Sequence, residues 1–491
     1  MLGRPVVPYD RAVAKEHALN GRRALRFSFT PGFRLPELEG QELEARVFTS
    51  TYFDSKDRAL ARAHLTLRRR IEKGKSVWRL LSSASSGTRV EAPGGPAGPP
   101  DELRSLLVGA LGDRSLEQVV KVRVRRSGLA LQEGSKELVA VIVDDVAVLD
   151  GRRVTERIKE LRLELVEGDE DLLTSLSKSV RRAGAVSTGD TSRLGEVLGF
   201  GRELKNGKPG WSATDLVAEM LACQLVAIVA HDPGTRLGAD PEELHAMRVA
   251  TRRSRAILRT ARPLLDPAWT ESLRAELAWL AGSLGEVRDL DVFCARLEAG
   301  VARLGARERR AGKKLVALVA TERGEARGRL VEALSSERYQ ALLVTLQAAA
   351  DSPAFVPAEV DVRELAAKQF HKLRKVMDAL GRDPTDELLH RARIKAKHAR
   401  YAAEVAAGRD GKAAARYLQR AKRLQDVLGE HQDAVVADRK LRALAVQSGG
   451  TTTAFAAGRL AELERGNRRA AREALPKAWR RLEQAGARAW A

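Results

Sequence analysis

The strongest constraint in this chain is a repeat. Residues 243–259, ELHAMRVATRRSRAILR, and 388–404, LLHRARIKAKHARYAAE, align without gaps at an offset of 145 residues. His245 falls on His390, Arg248 on Arg393, Val249 on Ile394, Arg252 on Lys397 and Arg255 on Arg400. The same offset pairs CQL at 223–225 with KQF at 368–370. About forty residues after each histidine a second string recurs, LGEVRDLDV at 284–292 and LGEHQDAVV at 428–436. Two anchors in the same order define a tandem pair of modules, spanning about 212–355 and 357–491.

Within the first anchor, His245, Arg248, Arg252, Arg255 and Arg259 are spaced three and four apart, so a helix gathers them on one stripe. His390, Arg393, Lys397 and Arg400 repeat that stripe, while Val249, Ile257, Leu258 and Ile394 lie off it. Like charges at these spacings repel, and neither stripe interleaves a carboxylate before Glu404. Such a face is either simply solvated or offset by an external anion. The histidine heading each stripe and the missing carboxylates favour the anion. Arginine offers a planar fork and lysine a movable point charge, so a mixed lining suits a run of equivalent phosphates. The acidic residues of the second anchor, Glu286, Asp289, Asp291, Glu430 and Asp433, serve either to orient these cations or to cap helix ends. His431 beside Glu430 is read as structural.

The formal charge of +21 is spread over the chain, with 49 basic and 36 acidic residues in 211–491 and 37 and 29 before. Such a charge attracts anions without identifying them. Cys223 and Cys294 stand far apart in apolar helical contexts, which predicts two buried thiols and neither disulfide nor zinc site. No stretch reaches the run of about eighteen uncharged apolar residues needed to cross a bilayer, so a cytoplasmic protein with no membrane partner is expected.

Before about residue 200 the pattern is strand-like. Leu65–Arg70, Val77–Leu81, Val119–Arg125, Leu129–Gln132, Glu137–Asp144, Val146–Leu149 and Glu160–Leu165 are predicted strands, with a turn at Lys73-Gly74. Asp101–Leu111 and Glu170–Ala183 are predicted helices. Charges at alternate positions predict an antiparallel β-barrel or strongly curved sheet, its charged side either the interior or the wet face. The hydrophilic segment GRELKNGKPG at 201–210 reads as a linker between a domain at 1–205 and an all-helical one at 212–491, with helix breaks at 232–241, 263–267, 381–384 and 447–453.

The paired strings LHAMRVATRRSRA with LGEVRDLDV, and LHRARIKAKHARYAAE with LGEHQDAV, resemble the conserved histidine α-helical domain, CHAD. The resemblance implies two four-helix bundles related by a pseudo-twofold axis, a central basic cleft that binds inorganic polyphosphate, and association with polyphosphate granules. YFDSKDRALARAHLTLRRR at 52–70, KVRVRR at 121–126, IVDD at 142–145 and KELRLEL at 159–165 resemble the CYTH domain, the triphosphate tunnel fold. That resemblance implies a closed β-tunnel. Arg68, Arg70, Lys121, Arg123 and Arg125 would clamp phosphate in it. Glu160 and Glu164, with Glu91 as a further candidate, would hold Mg2+ or Mn2+.

The chain departs from the tunnel pattern. The first strand of the family carries ExExK, whereas RRALRFSF at 22–29 has no carboxylate. The alternative ELEAR at 42–46 stands six residues before YFD, which is too close. No lysine stands near Ser82 or Ser83, and Arg162 occupies a position where the family has an acid. Loss of metal-side carboxylates removes hydrolysis before anion binding, since hydrolysis needs the metal. The expected function is therefore polyphosphate binding with a catalytically degenerate tunnel domain. A metal-dependent triphosphatase or polyphosphatase is the first alternative. Nucleic-acid binding is the second, and charge alone carries it, because aromatics are 4% and no recognition motif is evident.

Overall fold

The computed structural model describes residues 24–29, 33–82, 88–188, 212–358, 360–406, 411–448 and 450–490. Two compact units emerge: Met1–Glu203 with Val229–Asp240, and Leu204–Ile228 with Pro241–Ala491. The segment read as a linker, 201–210, lies outside the described residues.

The first unit is built on one antiparallel sheet of ten strands. In chain order these are β1 (Ala24–Phe29), β2 (Gln41–Glu42), β3 (Arg46–Asp54), β4 (Leu65–Glu72), β5 (Lys75–Ser82), β6 (Arg89–Pro93), β7 (Glu117–Glu133), β8 (Lys136–Asp150), β9 (Arg153–Leu165) and β10 (Ala185–Ser187). Four of the predicted strands merge into β7 and β8, whose apolar alternation changes face across the polar residues between them, from Val122 and Val124 to Leu129 and Leu131 in β7 and from Val139 and Val141 to Val146 and Val148 in β8. The turn at Lys73-Gly74 has φ of 47° and 78°, the left-handed pair that a two-residue hairpin turn requires. Helices α1 (Ala59–Arg62), α2 (Asp101–Leu111) and α3 (Glu170–Arg182) complete the unit.

The expected closed barrel does not form. The sheet is an open path, β10-β1-β9-β8-β7-β3-β4-β5-β6, with β2 added on β7. Closure requires the end strands to bond to each other, yet β10 pairs with β1 and β6 with β5. The end strands are three and five residues long, and β6 stops at Pro93, which has no N–H to donate.

Directly paired residues share a face of a sheet, so the register assigns every side chain. On one face Phe27, Val139, Val141, Leu161 and Leu163 pack with Leu173, Leu176 and Val180 of α3. The opposite face carries Phe48, Tyr52, Val122, Val124, Val146, Val148 and Ile158. Along it also run Arg126, Asp144 and Glu160, which are cross-strand neighbours.

The second unit is helical: α4 (Ala213–Leu237), α5 (Pro241–Thr260), α6 (Pro267–Ala302), α7 (Ala306–Leu334), α8 (Glu337–Asp351), α9 (Val362–Asp378), α10 (Asp386–Ala406), α11 (Gly411–Gln447) and α12 (Thr451–Ala489). Only the part of α4 up to Ile228 groups with this unit. Contrary to the predicted break at 232–241, α4 runs through Pro233 and ends at Gly238, whose φ of 63° suits a left-handed cap. A second correction concerns its apolarity. This helix is long and apolar enough to cross a membrane by length and composition. Counting uncharged residues missed it, because isolated charges such as Glu219 interrupt a run without much lowering its average.

The repeat is visible in the packing. α5 packs on α6 and α6 on α7; α10 packs on α11 and α11 on α12; α5 and α10 meet each other. The copies differ at their ends. The first closes with two helices, α7 and α8, split at Ser335-Ser336, whereas the second closes with the single 39-residue α12.

Candidate functional site

α5 buries Leu244, Met247, Ala250, Ile257 and Leu258. α10 buries Leu389, Ala392, Ala396 and Ala399. That burial fixes the rotation of each helix and turns the two basic stripes into the ground between them. Arg248 and Arg252 from α5 come close enough to Arg393 and Lys397 of α10 to act on the protonation of those two cations. Burial, then Arg393, Arg252 and Arg248, bring the Lys397 ammonium from its ordinary 10.5 down to about 8, against the opposing pull of Asp433. Burial likewise lowers Arg393, with Asp433 opposing and Arg252 and Arg248 reinforcing.

Further contacts hold this ground in place. Arg252 Nε donates to Tyr401 Oη at 2.6 Å, and its guanidinium lies 6.0 Å from the Tyr401 ring centroid. Arg248 pairs with Asp289 at 2.8 Å, so one acidic residue of the second anchor does orient a stripe cation. Glu286 instead pairs with Arg329, and Glu430 with Arg296. Arg259 reaches His398 Nε2 at 2.7 Å, and burial beside Arg259, Lys395 and Lys397 lowers His398 to about 4. His398 is therefore neutral at pH 7 and accepts this bond.

The heads and tails of the stripes are less concentrated. His390 Nδ1 bonds to Gln432 Oε1 at 2.8 Å on an exposed face. His245 is half-buried, and burial with Arg288 lowers its pKa. Arg400 turns to Glu404 at 3.0 Å and Gln425 at 2.9 Å, so its charge is already offset. Arg255 and Arg259 are lowered by burial and by Arg274. The Nε atoms of Arg255 and Arg393 are buried without an acceptor. His431, 2% exposed, sits against Asp386 and Arg472, which is a packing role.

Arg274, Arg288, His398 and Tyr401 were not legible as members of this ground. Arg274 and Arg288 carry one usable signal, a spacing of 14 residues, close to four helical turns, which places them on one side of α6. The two cysteines remain thiols: Cys294 is buried, Cys223 is half-buried, and burial pushes Cys223 up to about 11.

The sheet divides its candidate residues. Arg68 pairs with Tyr52 and Arg70 with Ser50, which in turn pair with Val120 and Val122. Lys121, Arg123 and Arg125 pair with Thr51, Thr49 and Val47, which places them on the opposite face from Arg68 and Arg70. The five cations therefore do not converge. Instead Arg79, Arg89, Arg126 and Arg162 share the face of Arg68 and Arg70, as their registers require.

The carboxylates on that face are engaged by these arginines. Glu91 forms an ion pair with Arg79 at 2.9 Å and accepts from Arg89 at 2.6 Å, Asp144 accepts from Arg126 at 2.7 Å, and Glu164 forms an ion pair with Arg162. Glu160 lies beside Asp144 on the same face. Among the described residues no group of three His, Cys, Asp or Glu side chains stands close enough to hold a metal. The donor set present therefore does not fit a divalent cation. Asp54 of the YFDSKD string is structural: it is buried and accepts from the backbone N–H groups of Leu60 at 2.8 Å and Ala61 at 3.0 Å, which fastens α1. Glu44 of ELEAR pairs with Lys73 at 2.9 Å, both well exposed.

Comparison with known proteins adds the family. The CYTH domain model matches residues 25–191 and the CHAD domain model residues 219–442. Two curated relatives, uncharacterized proteins of Mycobacterium tuberculosis strains CDC 1551 / Oshkosh and H37Rv, are each 30% identical over 502 residues, covering 92% of this chain and 92% of theirs. Among solved structures, PptA from Streptomyces chartreusis is 26% identical with a TM-score of 0.48, over 55% of this chain and 99% of that one.

Proposed function

Because this chain belongs to the family in which a CYTH domain precedes a CHAD domain, we propose that it handles condensed inorganic phosphate and holds the phosphate chain on the paired stripes of α5 and α10. The observation that carries this reading is the gathering of Arg248, Arg252, Arg393 and Lys397, where burial together with the three arginines brings Lys397 to about 8. A polyanion supplies negative charge beyond what Asp289 and Asp433 give this cluster. Arginine forks grip phosphate oxygens bidentately, and a chain of identical phosphates can engage each cation in turn.

Replacing both Arg252 and Lys397 with Glu tests it. The expected loss of affinity for long-chain polyphosphate is on the order of a hundredfold or more, since two charge-assisted contacts become repulsions. The helical circular dichroism should be retained. Unchanged affinity would sink the assignment. In competition on the unmodified protein, polyphosphate should displace duplex DNA at equal phosphate concentration; the reverse order would select nucleic-acid binding.

A second reading, metal-dependent hydrolysis of triphosphate on the charged face of the sheet, is favoured by the CYTH match over 25–191. The arginine-paired carboxylates of that face speak against it, and no step is assigned to a metal there.

A further inference from the structure

A cavity of about 280 Å3 opens between α11 and α12, lined by Arg420, Arg423, Val427, Ala474, Lys477, Ala478 and Arg481. Four of the seven lining residues are cations and none is a carboxylate. Among the described residues none of Arg420, Arg423, Lys477 and Arg481 makes an ion pair or hydrogen bond. The volume is near the lower end for small-ligand pockets, which run from a few hundred cubic ångströms upward.

The repeat supplies a control for this cluster. At the offset of 144 residues that aligns LGEV with LGEH, Arg420 corresponds to Glu276 and Arg423 to Trp279. In the first copy these positions are satisfied internally. Arg338 of α8 donates to both oxygens of Glu276, at 2.7 and 3.0 Å, and its guanidinium lies 4.5 Å from the Trp279 ring centroid. In the second copy the acid and the aromatic ring are both replaced by arginine, and α12 adds Lys477 and Arg481. A self-neutralised surface has become one with an uncompensated charge of four.

The cavity is separate from the stripes. On α11, Gln425 and Gln432 bond to Arg400 and His390 of α10. At about 100° per residue, Arg420, Arg423 and Val427 project from roughly the opposite side of α11. One helix thus serves the polyphosphate ground on one face and lines a second basic site on the other.

We infer that this cavity is a second anion site, which takes a compact oligophosphate group, free or carried on a nucleoside. The three arginines offer forks to phosphate oxygens, and Lys477 adds a point charge. The floor of Val427, Ala474 and Ala478 has no side-chain hydrogen-bonding group and gives an apolar surface on which a ligand's organic part can rest. The assignment does not depend on the stripes.

Calorimetry with tripolyphosphate and with ATP tests it, in full-length protein already carrying Arg252→Glu and Lys397→Glu. Binding of one tripolyphosphate per chain is expected to persist there. It should weaken at least tenfold when Arg420→Glu and Arg481→Glu are added, and again when the independent pair Arg423→Glu and Lys477→Glu is used instead, with circular dichroism unchanged in both. ATP binding more tightly than tripolyphosphate assigns the site to a nucleoside-borne group, and equal or weaker binding assigns it to the free anion. No binding in the starting variant, or binding indifferent to both pairs, overturns the site. The role of the stripes is read separately, from long-chain polyphosphate.

Discussion

Lys397 is the residue whose chemistry the surroundings change most usefully. Its pKa is lowered from 10.5 to about 8 by burial and three arginines, so the free protein loses this proton at mildly alkaline pH. A bound phosphate chain favours the ammonium form, and binding above pH 8 must therefore take up a proton. Affinity for polyphosphate is expected to fall about tenfold between pH 7 and pH 9, because one unit above the pKa leaves about a tenth of the lysine charged. Lys397→Arg should flatten that profile, as arginine stays protonated throughout; the same slope in the variant would remove Lys397 from the site. The sign for stability is opposite. Between about 8 and 10.5 the unfolded chain binds more protons than the folded one, so the unliganded fold gains stability as pH rises through this window. At this scale the stripe residues were legible from spacing, but the drop to 8 was not. It arises from burial first, then from Arg393 on the same helix, with Arg252 and Arg248 adding from another helix.

At the scale of elements, the second copy depends on close approach between α9 and α12. An added Cβ on Gly486 would stand 2.2 Å from Cζ of Phe370, whose ring packs edge-on against Tyr417. Gly486→Ala should therefore force α12 away from α9 and destabilise the helical unit by about 1–3 kcal/mol, read as a lower urea midpoint. Gly458→Ala, on the same helix with open space around it, should leave the midpoint unchanged or raise it. Asp101–Leu111 was predicted to the residue, since its apolar periodicity is uninterrupted and Gly112 follows. The passage of α4 through Pro233 was not, because proline is a strong local signal for a break and only the surrounding packing overrides it.

At the scale of the whole molecule, the question is whether the sheet contributes hydrolysis. With Glu91, Asp144 and Glu164 each held by arginine, protein supplied with Mg2+ or Mn2+ is expected to release no phosphate from tripolyphosphate above a buffer control. Turnover that disappears on Glu160→Gln or Glu164→Gln would instead establish the triphosphatase reading. Catalysis and retention are thereby separable in one chain, since the stripe variants leave Glu160 and Glu164 untouched.

The amino-acid order by itself determined the helical duplication, the two basic stripes and the alternation of the strands, because helical and strand periods are local properties of the backbone. Whether β6 and β10 would find each other was decided only in three dimensions, by short end strands and Pro93. The same is true of the separation of Arg68 and Arg70 from Lys121, Arg123 and Arg125, which follows from cross-strand register. The duplicated stripes were written in the chain from the start; that Lys397 is buried and brought beside Arg252 and Arg248 as well as Arg393, which lowers it to about 8, is decided by tertiary packing, in which α5 meets α10.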